Sequence, residues 1–184
     1  MASNKPLIIN VRGNSGSGKT HLTRQFMAMC TNELSADDQF FTYRKHPWAV
    51  LGKYTNVCGG CDTIKTQMDI IDRVEDYTDQ GMNVWLEGLL ISGMYGSLGA
   101  YSEEFGDRWV FAFLDTPLKL CIKRIQQRRK SACNSKPFNT ANTINRHETI
   151  TRTRERLLEM KRRVIDLPHQ DALEPLLKII RREG

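Results

Sequence analysis

The chain has 184 residues, 40% hydrophobic and 26% charged, enough for one domain with a real core and ordinary for a soluble globular protein. No apolar run reaches the length of a membrane span, and the first residues lack a signal peptide's apolar segment. Five cysteines, an odd number, fit reduced thiols in a cytoplasmic protein.

Pro6 to Arg12 is a short apolar stretch suited to a buried strand. Gly13 to Thr20 reads G-N-S-G-S-G-K-T and fits the phosphate-cradling pattern G-x-x-x-x-G-K-[ST]. Leu22, Phe26 and Met29 follow at helical spacing. Strand, glycine loop and helix together place loop N–H groups and the positive helix end against phosphates.

Ser35 to Asp38 reads as a polar turn and Phe40 to Arg44 as a second strand. His46-Pro47 interrupts it, and Trp48 to Tyr54 is extended again, as a hairpin or a bent strand. Thr55 to Thr63 is a loop, and Asp62 or Thr63 caps the next helix, with Ile64, Met68, Ile71 and Val74 inward. Asn83 to Ile91 is a buried strand carrying one charge, Glu87. Ser92 to Gly106 is Gly- and Tyr-rich and reads as a loop with one short helix.

Arg108 to Asp115 is a further strand. A helix follows, with Pro117 at its first position and Leu118, Cys121, Ile122 and Ile125 as its stripe. Residues 128–145 are polar and read as a mobile loop before a charged helix. Residues 161–167 suit a last strand, and Glu174-Pro175 opens a last helix. Strands alternating with helices argue for a parallel sheet covered on both faces, in one domain over 1–184.

The loop supplies the first candidate site. Gly13, Asn14, Ser15, Gly16, Ser17 and Gly18 cradle phosphates, Lys19 bridges the β- and γ-phosphates of ATP, and Thr20 ligates Mg²⁺. Glu87 is expected to face the loop and hold the same metal, because a lone buried carboxylate needs a nearby cation. Asp62 is a candidate general base for an attacking hydroxyl, or a helix cap. Arg124 and Arg128 share a helix face, and with Arg129 they can close over the transferring phosphoryl group.

The pair Cys58 and Cys61 has no second pair at zinc-ribbon spacing and reads as small buried thiols. Trp48, Tyr54, Tyr95 and Tyr101 are base-stacking or core aromatics. Charge is concentrated late in the chain. Between Leu118 and Arg163 lie 14 Lys and Arg against three acids, within a net charge of +6. Such a block attracts polyanions, a nucleic acid among them.

On the loop, the V-W-L-E-G strand, and F-L-D-T-P-L followed by Arg124, Arg128 and Arg129, the chain resembles the P-loop kinases of the nucleoside/nucleotide kinase superfamily. The resemblance implies a three-layer α/β fold with a sheet ordered 2-3-1-4-5 and a mobile lid at about 128–145. More narrowly, Y-T-N-V-C-G-G-C-D-T-I and Y-G-S-L-G-A-Y look like small phage kinases that phosphorylate 5-hydroxymethyluracil within DNA. That implies DNA with a hydroxymethylated base and ATP as partners, in the host cytoplasm if phage-encoded. Two other readings stand beside it: a kinase of a free nucleoside, nucleotide or other small alcohol, and a nucleotide-binding DNA-associated module without transfer chemistry. Asp62 and Glu87 speak against the last.

Overall fold

The computed structural model describes residues 5–33, 37–55, 59–134 and 136–183. The elements run β1 (Ile8–Arg12), α1 (Lys19–Met27), β2 (Thr31–Glu33), β3 (Gln39–Tyr43), β4 (His46–Val50), α2 (Gln67–Asp79) and β5 (Asn83–Glu87). They continue with α3 (Leu89–Ser92), α4 (Gly96–Tyr101), β6 (Trp109–Asp115), α5 (Leu118–Ser131), α6 (Ala141–Glu159), β7 (Arg163–Pro168) and α7 (Leu173–Glu183).

Among the described residues one sheet has seven strands in the order β2-β3-β4-β5-β1-β6-β7. The pairs β4–β5, β5–β1, β1–β6 and β6–β7 are parallel. Those five strands reproduce the expected 2-3-1-4-5 order. The difference is at one edge, where β2 and β3 pair antiparallel and lengthen the sheet.

Residue alternation along β1 splits the core in two. Ile9 and Val11 face Leu22 and Phe26 of α1 and Leu176, Leu177 and Ile180 of α7. Ile8 faces the opposite layer, with Ile70 and Val74 of α2, Leu98 of α4 and Ile150 and Leu157 of α6. The period-2 direction of side chains makes one apolar strand serve both layers.

Several local expectations change. His46-Pro47 does not interrupt a strand; it begins β4. Arg44 and Lys45, both at positive φ (51° and 75°), turn β3 into β4 as a tight hairpin. Pro47 lies ahead of Trp48, the first residue of β4 paired with β5, so its missing N–H falls where one flank has no ladder. Helix α2 starts later than expected, with Thr66 as its cap: the hydroxyl accepts from the Asp69 N–H at 3.0 Å. Met68 then turns outward, while Ile70, Ile71 and Val74 are buried.

The strand expected over Asn83 to Ile91 ends at Glu87, and the Gly/Tyr-rich stretch after it is mostly helical: α3, α4 and a 3₁₀ stretch over Ser102–Arg108. The expected mobile loop at 128–145 shortens to the connection 132–140, because α5 runs on to Ser131 and α6 begins at Ala141. Pro117 is the residue before α5, and Pro175 is inside the first turn of α7. The Ser35–Ala36 part of the first turn and Cys58 of the cysteine pair lie outside the described residues; Cys61 is buried, and burial pushes its thiol well up.

A buried carboxylate fixes the approach to the site. Asp38 accepts from the Gly52 N–H at 2.6 Å, from Arg73 at 2.7 Å and from the Tyr77 hydroxyl at 2.7 Å. One side chain thus ties the end of the hairpin to α2 and offsets its own desolvation.

Candidate active site

The loop between β1 and α1 has Gly13, Gly16 and Gly18 at positive φ (156°, 76° and 110°). A Cβ at Gly16 would stand 2.6 Å from the Cys121 carbonyl oxygen, so α5 packs directly on the loop. Lys19 is buried at 7% exposure. Its ammonium donates to the Gly13 and Asn14 carbonyls at 2.8 and 3.1 Å, curling over the cradle it belongs to.

Register delivers the first carboxylate. Val11 pairs with Glu87, so the end of β5 lies beside the start of the loop. Glu87 is 1% exposed and accepts from the Thr20 hydroxyl at 2.9 Å. Burial pushes its carboxyl up to about 7, against the pull of Lys19 and the Thr20 hydrogen bond. Gly60 makes the close packing possible: at φ +72°, a Cβ there would meet the Glu87 carbonyl at 2.4 Å and its carboxylate at 2.9 Å.

Asp62 arrives from the 3₁₀ turn Cys61–Thr63. It does cap a helix, but not the one that follows it in sequence. Its carboxylate accepts from the Leu89 N–H at 2.9 and 2.8 Å and from the Leu90 N–H at 3.1 Å, at the start of α3. The side chain stays exposed on the cleft wall. Its orientation is set by the two amides.

Arg124 reaches back from α5 and donates to the Ser17 carbonyl at 3.1 Å and the Gly16 carbonyl at 3.3 Å. Arg128, one turn on, lines the same cleft. Arg129 instead turns to the connection, donating to Asn134 and the Lys136 carbonyl and stacking on Phe138 at 5.7 Å. The cleft is about 260 Å³, and Lys19, Thr20, Asp62, Glu87, Arg124 and Arg128 all line it. A second cavity of about 690 Å³ adjoins it across Gly18, His21 and Arg124, walled by Leu22, Leu120 and His169.

Three contributors were not anticipated. Arg12, fully buried in β1, donates to the Met94 carbonyl and lies over the Phe111 ring at 4.7 Å; burial lowers its guanidinium to about 9. Ser92 accepts from the Gly13 N–H at 3.1 Å. The Asn14 amide donates to the Thr143 carbonyl of α6 at 2.9 Å, linking the loop to the helix after the connection. Arg12 carried the same signal as Glu87, a charge in a buried apolar run. Of the aromatics, Trp48 and Tyr54 are core, Tyr101 packs on Phe105 and Trp109, and Tyr95 is exposed.

No group of three or more His, Cys, Asp or Glu suited to a metal occurs among the described residues. The donor set here is instead hydroxyl plus carboxylate, Thr20 with Glu87. That fits Mg²⁺, which takes one or two protein oxygens and keeps phosphate and water for the rest.

A phosphate loop, a hydroxyl–carboxylate pair beneath it, a second carboxylate on the rim and two arginines opposite define the class: a P-loop kinase. A solved gluconokinase from Sinorhizobium meliloti 1021 shares the fold, with a TM-score of 0.50 at 16% identity over 96% of this chain and 88% of that one. No protein-family model matches the chain. A protein of Pseudomonas phage M6 named 5-hmdU DNA kinase is 33% identical over 96% of this chain and 98% of its own length. A namesake in Pseudomonas phage PaMx11 is 36% identical over 76% of this chain and 78% of its own length. A third, in Delftia phage PhiW-14, is 25% identical over 74% of this chain and 58% of its own length. The chain belongs to the family of phage 5-hmdU DNA kinases.

Proposed function

We propose that this chain transfers the γ-phosphoryl group of ATP to the hydroxymethyl oxygen of 5-hydroxymethyluracil in DNA. The observation that carries the transfer chemistry is the convergence of Lys19, Thr20, Asp62, Glu87, Arg124 and Arg128 on one cleft. The names of the phage relatives support the acceptor. Their phage sources also support action inside the infected host, where the DNA is.

The geometry supports the following division of labour. Loop N–H groups and the start of α1 hold the β- and γ-phosphates. The larger cavity beyond Arg124 takes the base and sugar of ATP. Lys19 swings from the loop carbonyls to the phosphate oxygens as their charge shifts. Thr20 and Glu87 would hold Mg²⁺, which would supply positive charge to the phosphates. Asp62 sits on the rim, where an acceptor must enter. It orients the hydroxymethyl group and takes its proton as the new P–O bond forms and the bond to ADP breaks. Arg124 and Arg128 neutralise the equatorial oxygens of the transferring group. The connection 132–140 acts as the lid of a single kinase domain, coupled to the loop through Asn14 and Thr143.

Mass spectrometry of an oligonucleotide with one 5-hydroxymethyluracil tests this. The expected product carries one added phosphate on that nucleotide, and a thymine control gains none. A phosphate found at a strand end, or on neither oligonucleotide, refutes the assignment.

A further inference from the structure

Among the described residues the large apolar side chains that are exposed are Met29, Met68, Leu90, Tyr95, Ile144 and Leu158. Leu90 is 61% exposed, Met68 60% and Tyr95 45%. Of these, Leu90 adjoins the cleft, because Leu89 before it and Asp62, which holds its N–H, both line it. Leu90 is in α3, with its own N–H held by Asp62. Met68 follows Gln67, whose amide donates to the Ser97 hydroxyl in α4, and Tyr95 is the residue before α4. An isolated exposed apolar residue needs no explanation by itself; Leu90 stands out by its place beside the cleft and by how firmly its backbone is held.

The single turn of α3 sends its four side chains in different directions, about 100° apart per residue. Ile91 and Ser92 point into the protein, and Leu89 lines the cleft. Leu90 is left facing outward beside it. Its mounting is firm. Asp62 holds the N–H groups of Leu89 and Leu90. Ser92 donates to the Gly88 carbonyl and accepts from the Gly13 N–H. Arg12 holds the Met94 carbonyl, and Gly93 packs against Thr149 of α6. An exposed leucine is thus displayed by backbone tied to the phosphate loop itself.

The cleft also has a basic wall, Arg124 and Arg128 of α5. A free nucleoside is served by a closed pocket. An open cleft with one cationic wall and one apolar lip is matched by a nucleic acid, with phosphates on one side and stacked bases on the other. Resting on the DNA-kinase function proposed above, we infer that Leu90 is a wedge that enters the DNA stack where the target base has left it. Leu90 is then a positioning residue. It holds the duplex open and makes no contact with the reacting atoms. Extruding a base costs stacking and pairing energy, and an apolar side chain filling the gap offsets part of that.

Leu90→Ala tests it, with Leu90→Met as the conservative control. Each is assayed on one 5-hydroxymethyluracil in a fully paired duplex, in single strand, and opposite an abasic site. For Leu90→Ala the duplex kcat/KM is expected to fall about tenfold, the single-strand value less than about twofold, and the abasic duplex to recover most of the loss. Leu90→Met should keep the duplex rate. A 2-aminopurine beside the target should brighten on wild-type binding and brighten less with Leu90→Ala. Equal losses on duplex and single strand, or no loss on either, overturn the wedge while leaving the kinase assignment intact. A wild-type enzyme that phosphorylates none of the three DNA forms overturns the functional reading, and the wedge with it.

Discussion

Glu87 is a carboxylate with almost no access to water, and its pH behaviour follows. Its folded value lies near 7, while the unfolded carboxyl ionises near 4.5. Below 4.5 both states are protonated, and the group costs nothing extra. As pH rises through about 7 the folded protein must carry a buried charge, and stability is lost. Glu87→Gln removes that cost. Without metal or nucleotide the variant should melt higher than wild type at pH 8, by up to about 3 kcal/mol, and hardly differ at pH 4. Melts at the two pH values check this; an equal gain at both would assign the effect to packing. On the metal-holding role proposed for Glu87, activity should move the opposite way, because glutamine binds Mg²⁺ less well than a carboxylate. Lys19→Ala should lower turnover by about a hundredfold or more with the fold intact, since its charge acts mainly on the transition state. Asp62→Asn keeps an oxygen for the α3 amides but cannot take a proton. Turnover should collapse with ATP binding nearly unchanged; a fall in melting temperature alone would reduce Asp62 to its capping role.

At the scale of elements, the sequence was readable where chemistry is local and opaque where it is not. The phosphate loop announces itself within eight consecutive residues, and Glu87 within one apolar strand. Asp62 could be placed near the site, but its cap points to α3, 27 positions away, through a meeting that only the sheet arranges. The start of α6 is rich in Asn and Thr and reads locally as loop. Packing of Ile150 and Leu157 and the Asn14–Thr143 bond override that preference. Arg44 and Lys45 at positive φ hid where the hairpin turns, because neither residue type advertises a left-handed turn. Two glycines separate strain from contact. Gly60 and Gly81 sit at φ +72° and +76°, but only Gly60 has neighbours within reach of a Cβ. Gly81→Ala should cost about 1 kcal/mol of backbone strain and spare activity. Gly60→Ala should cost more and displace Glu87, so the kinase rate should fall with it. Equal effects on activity from the two would disconnect Gly60 from the site.

Over the whole molecule, the basic block divides. Arg152, Arg154, Arg156, Arg162 and Arg163 are each paired with a carboxylate: Glu148, Asp166, Glu159, Glu103 and Glu183. Exposed Lys123, Lys130 and Arg146 belong to α5 and the start of α6, on either side of the connection. That is where a DNA backbone should lie. With about four phosphate contacts, a fourfold rise in salt should weaken DNA binding about a hundredfold. Reversing Lys123, Lys130 and Arg146 to Glu should flatten that slope and spare ATP binding. A slope unchanged by the three reversals would move the DNA elsewhere. The most direct measurement is a comparison of acceptors under one set of conditions: γ-labelled ATP with 5-hydroxymethyluracil in DNA, with the free nucleoside, and with none. The account predicts label in the DNA at a far higher kcat/KM than in the nucleoside, with the DNA reaction falling as salt rises. Label going to the free nucleoside in preference to DNA, with no dependence on salt, would contradict it.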